Sequence, residues 1–368
     1  MNSQFNKPTF IAKFKKRPGV TALLSALAIV LVLAGCASQP KPVEEEKPQD
    51  QTVWPLPPEP ARFRYLGELR ALELPKEDTT LKDVLLGKEE VQKISSLAKP
   101  YAVHSDSNGR VYVADTGLSA IAVFDLDKKG RTSLWGRGGQ GALNKPTGVT
   151  SDKQGNIYVS DSLNKRIVVF DKNGNFVRAF GGKDILELPA GLAFSEKAQK
   201  LYVVDTKKHQ VSVFNKDGNL DSTIGANGTN PGFFNFPTNI AIDSNGRLYI
   251  ADSMNFRIQV LEEDGTYVRH IGQVGQRIGD FFRLKGVGVD TDGNVYGVDA
   301  SFSNFQVFNQ QGQLLIYIGS GGSGRPGKFA LPAGMHVDNN NRIFVADQYN
   351  QRIQMFEFLG GGETPTIE

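Results

Sequence analysis

The sequence predicts an all-β fold, a six-bladed β-propeller closed by its own N-terminal strand, and three observations predict it. First, one unit recurs from residue 99 onward: Pro, five residues, often Asp, a Gly or Asn turn, then an alternating strand that ends in Asp. Second, the strand-ending acids Asp115, Asp161, Asp205, Asp252, Asp299 and Asp347 stand 44 to 48 residues apart. A period of about 40–50 residues holding four short strands is the signature of a propeller blade. Third, the last unit lacks its outer strand, and a strand-like segment stands alone before the first unit.

Within a blade the strands read directly. In blade 2, 147–152 is the inner strand a, 156–160 is b, 165–171 is c and 175–180 is d. Asn173-Gly174 supplies the c–d hairpin and Gln154-Gly155 the a–b hairpin, because Gly accepts the positive φ that such turns demand. The complete blades are 100–144, 146–188, 189–236, 237–283 and 284–331, and the sixth is 332–358. Together they make a propeller over 99–358, followed by a tail at 359–368.

The segment 61–72 is expected to close the ring. Ala61-Arg62-Phe63-Arg64-Tyr65-Leu66-Gly67 aligns with Thr266-Tyr267-Val268-Arg269-His270-Ile271-Gly272, strand d of blade 4. It should therefore complete blade 6 and cover the edge that an open array would leave. Between it and blade 1, residues 73–98 read as a helical insertion of one or two short helices. Asp78-Thr79 would cap a helix through Leu81, Val84, Leu85 and Leu86 that stops at Gly87.

The N-terminus reads as an export signal over 1–35. Lys7, Lys13, Lys15, Lys16 and Arg17 precede a 14-residue apolar run, Val20 to Leu33, with no acidic residue. A spanning helix needs roughly 20 apolar residues. The run ends in Leu33-Ala34-Gly35-Cys36, which resembles the lipobox of bacterial lipoproteins. That resemblance implies cleavage before Cys36, acylation of its thiol and a membrane anchor held by the acyl chains. Ala37, a residue other than Asp after the lipidated position, resembles an outer-membrane sorting signal, which implies the periplasmic face of that membrane. Cys36 is the only cysteine, so no intrachain disulfide forms. Residues 36–60 are rich in Pro and Glu and read as an extended tether.

Charge is informative once the signal is set aside. The whole chain has 42 basic and 39 acidic residues, and five of the basic ones lie in the signal. The remainder carries 37 basic against 39 acidic, a formal −2, which together with export argues against a nucleic-acid partner.

The repeats resemble the NHL family. After strand b the family pattern is Asp, two residues, Asn, often His, then Arg and Ile or Val. Blade 2 has Asp161, Asn164, Arg166 and Ile167; blade 4 has Asp252, Asn255, Arg257 and Ile258; blade 6 has Asp347, Asn350, Arg352 and Ile353. Blade 3 keeps Asp205 with His209, Gln210 and Val211, while Ala120 and Asn304 replace the Arg in blades 1 and 5. The stretch Val53-Trp54-Pro55-Leu56-Pro57-Pro58 also looks like six-bladed propeller proteins of the bacterial envelope. The resemblance implies a propeller; function must come from the site.

Six copies of one acid around a ring imply architecture, so these Asp, Asn and Arg residues are read as structural. The aromatic or Leu position before each strand a (Leu143, Leu186, Phe234, Phe281, Phe329) is read as a plug between blades. A ligand-binding mouth is expected where the residues after the strand-a Pro converge, with Tyr101, Thr147, Thr238 and Lys285 as its side chains and Ala190 and Ala333 completing the set. NHL-like peptide-amidating lyases carry His there in three blades to hold a catalytic metal. No His stands at any of the six positions, which disfavours that chemistry.

His104 and His336 each lie four residues past the strand-a Pro, in neighbouring blades, where the other blades have Thr150, Ala193, Ala241 and Gly288. They are candidate ligand or metal groups, although zinc wants three or four ligands and simple packing would also account for them. The glycine-rich runs near 136–141 and 319–327 precede strands, so they are loops rather than phosphate cradles. Asp106-Ser107-Asn108-Gly109 and Asp290-Thr291-Asp292-Gly293 lack the later Glu of a calcium loop. No cofactor is expected. The reading is therefore a monomeric, membrane-anchored binding or scaffold module for a protein or glycan, with a propeller-type lyase or lactonase bearing a channel metal as the alternative.

Overall fold

The computed structural model describes residues 52–74, 93–127 and 132–360. It is an all-β, six-bladed propeller. Five blades are four-stranded antiparallel sheets, and the sixth has five strands. Blade 2 is typical: strand a is Pro146–Ser151, b is Ile157–Asp161, c is Arg166–Phe170 and d is Phe176–Gly181. Among the described residues no helix is long and apolar enough to cross a membrane.

The sequence of each strand sets its depth. Strands b and c are rich in β-branched and aromatic residues and are buried on both faces, as in Ile157–Asp161 and Arg257–Leu261. Strand d alternates, as in Tyr267–Ile271, and turns one face to solvent. The inner strands pack side by side around the channel. At the second residue past their entry they carry Gly148, Gly191, Gly286 and Gly334, where an added Cβ would lie 2.4 to 2.7 Å from backbone or Cα atoms of the next blade. Small residues at this layer let the inner strands meet.

Each ring-wide motif has one physical job. The six repeated Asp residues are fully buried. Each carboxylate accepts backbone N–H groups from the loop that leads into its own strand a: Asn144 and Lys145 donate to Asp161 at 3.1 and 3.0 Å, and Phe282 and Arg283 to Asp299 at 2.7 and 2.8 Å. Asn164, Asn255 and Asn350 add side-chain donors at 2.7 to 2.8 Å. Arg257 and Arg352 donate Nε to Asp252 and Asp347 at 3.0 and 2.8 Å, while Arg166 stands 3.5 Å from Asp161. The structural reading of these residues follows from the geometry. A left-handed residue closes every b–c turn (Ser119, Lys165, His209, Phe256, Ser303 and Gln351, φ 50 to 56°). His209 is one of these; its Nδ1 accepts from Asn227 and from the Phe236 backbone.

The plugs sit between blades as expected. Phe234, Phe281 and Phe329 are fully buried, and each lies over a glycine that ends the preceding strand d. A Cβ on Gly225, Gly272 or Gly319 would stand 2.3, 2.4 or 2.6 Å from the Phe ring. Leu97 is the sixth plug. It is fully buried, and its N–H bonds the Arg70 carbonyl just as that of Leu143 bonds Gly136.

Ring closure is as predicted, with a different register. Phe63–Leu69 pairs with the last strand, Arg352–Phe358, so that Tyr65 faces Phe356 and Leu69 faces Ile353. In blade 4 Tyr267 faces Leu261 and Ile271 faces Ile258. Tyr65 is thus the equivalent of Tyr267, three residues from the alignment that matched Gly67 to Gly272. The cause is burial: Phe63 and Tyr65, on one face of the strand, pack against Phe305 and Phe356, while the bulge at Leu66 matches that at Val268 in blade 4. Val53–Trp54 adds a fifth strand outside Phe63–Arg64, and the Trp54 ring meets Phe356 edge-on at 5.5 Å. These two residues, expected in the tether, are part of the folded sheet. The expected insertion at 73–98 also differs at its ends, since Ala71–Leu74 and Lys93–Ser96 pair as antiparallel strands. The helix expected over 78–87 lies outside the described residues, as do Cys36 and the export signal.

Candidate functional site

Each inner strand runs the length of the channel, so positions along it are separated in space. The residue after the strand-a entry lies at the end shared by the d–a loops and b–c turns. Residues four and five positions past the entry lie at the end shared by the a–b hairpins. The structure therefore places the two predicted groups apart: Tyr101, Thr147, Thr238 and Lys285 at one end, His104 and His336 at the other.

At the first end the four predicted residues divide by role. Thr147 is buried and donates its hydroxyl to the Pro189 carbonyl of the next blade at 2.9 Å. Thr238 donates likewise to the Lys285 carbonyl at 2.9 Å. These two hydroxyls join neighbouring blades rather than line a binding surface. Tyr101 and Lys285 are partly exposed and flank the small, buried Ala333. Burial pushes the Tyr101 phenol upward against the pull of the Arg283 charge. Burial, reinforced by Arg283, pushes the Lys285 amine down from its ordinary value.

The loops around this end carry further exposed side chains; of these, sequence reasoning placed Phe282, with Arg137 and Arg277, at the mouth and missed the others. Leu163, Met254 and Tyr349 occupy the same b–c turn position and are 52 to 72% exposed. Phe233, Phe236 and Phe282 in the d–a loops are 42 to 52% exposed. The a–b hairpins at the other end consist of Asp, Asn, Ser, Gly, Lys and similar polar residues. The signal was available in sequence, because the second residue after the repeated Asp is apolar in alternate blades.

At the second end His104 and His336 come together. Their ring centroids are 4.4 Å apart and tilted by 54°. His104 Nε2 shares a 2.8 Å hydrogen bond with the Ser151 hydroxyl, and the His336 ring bonds the Ser105 backbone. Burial drives His336 down to about 4, against an upward pull from Asp338. Burial and the neighbouring His336 drive His104 well below its ordinary value. Both imidazoles are neutral at pH 7. They border a cavity of about 160 Å³ inside the channel and a second of about 300 Å³ rimmed by Asp106, Asp152, Glu196 and Asp338. No group of three or more His, Cys, Asp or Glu residues suited to a metal ion occurs among the described residues.

Acids that open the a–b hairpins serve the fold. Asp106, Asp152 and Asp290 accept backbone N–H groups of their own hairpins and the hydroxyls of Tyr112, Tyr158 and Tyr296 at 2.8 to 2.9 Å. This explains the residues once compared with a calcium loop: their carboxylates order a hairpin.

Comparison with known proteins agrees with this architecture. The NHL repeat model matches residues 143–170 and 329–356, each span running from a plug through strand c. A family described as a 6-bladed beta-propeller matches residues 193–255. No curated protein matches significantly. Among solved structures, a catalytically inactive virginiamycin B lyase from Staphylococcus aureus with quinupristin is 14% identical, covering 81% of this chain and 100% of that one, with a TM-score of 0.53. An auxiliary nutrient binding protein from Bacteroides thetaiotaomicron is 13% identical, covering 72% and 70%, with a TM-score of 0.56. A protein of unknown function from the same organism is 18% identical, covering 71% and 70%, with a TM-score of 0.57. At these identities the shared property is the fold.

Proposed function

We propose that this six-bladed propeller is a lipid-anchored binding module of the cell envelope, tethered through Cys36 at the periplasmic face of the outer membrane, and that its partner is a protein. The carrying observation is the asymmetry of its two ends. The d–a and b–c end exposes Leu163, Phe236, Met254, Phe282 and Tyr349 on short loops of a rigid disc. Spread over alternate blades, they give this end repeated exposed apolar surface, a mark of interaction sites, and loops on a fixed scaffold are where recognition is placed. Met254 among them is the adaptable kind of side chain common at protein-binding surfaces.

The test is capture from an envelope extract by the full, lipidated chain. Wild type should retain a defined protein, and Phe236→Ser with Met254→Ser should reduce its retention by about tenfold while the melting temperature stays unchanged. Retention of glycan fragments instead of protein, or capture indifferent to both substitutions, overturns the reading. Cys36→Ser should move the chain from the membrane fraction to the soluble one. The lyase-like neighbours suggest an enzymatic alternative, which the His104–His336 pair would have to carry. Two imidazoles bonded to Ser151 and to backbone supply no more than part of such a site.

A further inference from the structure

We propose that the channel mouth beside this binding face receives a carboxylate from an acidic segment of the partner, held between Arg283 and Lys285 under the Tyr101 hydroxyl. The inference rests on the binding reading above and names the chemistry that the mouth selects. The residues immediately before and after the six strand-a entries form the rim, and they include Lys99, Lys145, Arg283 and Lys285 and no acid. Four cations thus stand on this rim, on a chain body whose formal charge is −2.

The acids nearest the strand entries do not neutralise them. The six repeated Asp carboxylates are fully buried and spend their oxygens on the loop backbone. Glu187, the one acid two residues before a strand entry, pairs with Lys207 at 3.7 Å. Among the described residues no carboxylate pairs with the side chains of Arg283 or Lys285, and none accepts from the Tyr101 hydroxyl. Two like charges held together, one of them partly buried, are unfavourable alone. An oxyanion between them relieves both costs and gains charge-assisted hydrogen bonds. Across the rim, Lys99 and Lys145 are exposed and add a field that draws an anion toward the mouth.

The experiment titrates the full chain with a fluorescent tetraglutamate peptide, a tetraglutamine control and inorganic phosphate as a competitor. Tetraglutamate should bind about tenfold tighter than tetraglutamine. Its affinity should fall as salt rises from about 50 to about 300 mM. Lys285→Met and Arg283→Met should each weaken it by about tenfold with an unchanged melting temperature. Phosphate should displace the peptide only at concentrations well above its own, since a compact dianion lacks the peptide's further contacts with Lys99 and Lys145. Equal binding of tetraglutamine, displacement by equimolar phosphate, or indifference to both substitutions overturns the proposal. The two readings fail separately. If envelope capture is lost with Phe236→Ser yet tetraglutamate does not bind, only the carboxylate site falls. If tetraglutamate binds at Lys285 and capture fails, only the protein-binding reading falls.

Discussion

Arg352 donates to Glu68 at 2.6 Å across 284 residues of sequence, and the same guanidinium donates to Asp347 at 2.8 Å. It also bonds the Lys328 carbonyl at 2.6 Å. One side chain thus ties the closing strand, the last b–c turn and the loop entering blade 6. It is buried with only 2% of its side chain exposed, whereas Glu68 is 34% exposed. Burial raises the Glu68 carboxyl, but the hydrogen bond and charge of Arg352 outweigh that and leave it lowered.

Arg352→Met should therefore cost far more than Glu68→Gln. The first leaves the Asp347 carboxylate buried without its cation, a loss of about 3–5 kcal/mol. The second removes a half-exposed partner and should cost under about 1 kcal/mol. Urea denaturation of the two variants measures both. A comparable small loss for each would show that the closure is held by strand pairing alone.

The plug and glycine pairs make a second prediction. Gly272 has φ 81°, and a Cβ there would meet the Phe281 ring at 2.4 Å. Gly272→Ala must accept left-handed strain of roughly 1–2 kcal/mol and an overpacking cost of about 1–3 kcal/mol. Phe281→Ala should cost about 3–5 kcal/mol by cavity formation. Combining Gly272→Ala with Phe281→Leu should lose less than the sum of the single losses, because the smaller plug makes room for the methyl group. Strict additivity in thermal unfolding would mean that the two sites do not couple.

The contrast between these two features shows what was legible in the chain. The period, the repeated Asp and five of the six plugs were visible because each unit restates them at a fixed offset. Leu97 was hidden because its blade is assembled from both ends of the chain and the segment before it does not resemble a strand d. The three-residue error in the closing register came from matching Gly67 to Gly272, whereas the ladder is set by which face of Phe63 and Tyr65 is buried. Thr147 and Thr238 looked like ligand groups because their hydrogen-bond acceptors belong to the neighbouring blade, 42 and 47 residues away. The His104–His336 pair was legible for the opposite reason: two bulky residues interrupted a row of small ones.

That pair gives the last prediction, and its sign follows from the direction of the shifts. Both imidazoles are neutral in the fold, with His336 lowered to about 4 by burial and His104 also well below its ordinary value. Unfolded, each returns to about 6.5. Between about pH 6.5 and 4 the unfolded chain therefore binds more protons than the folded one, and stability falls as pH drops through that window. The groups packed around the pair do not reverse this. Ser151 and Tyr112 beside His104 are uncharged, and the pull of Asp338 on His336 is already contained in its shifted value. Carboxylates with lowered values, such as Asp171 and Asp264, lose their contribution only below the ordinary carboxylate range. The interval from pH 7 to about 5 therefore isolates the imidazoles. Replacing them with the residues their neighbours use, His104→Thr and His336→Ala, should flatten the fall in urea midpoint across this interval. A double variant that keeps the wild-type slope would place the acid sensitivity elsewhere in the ring.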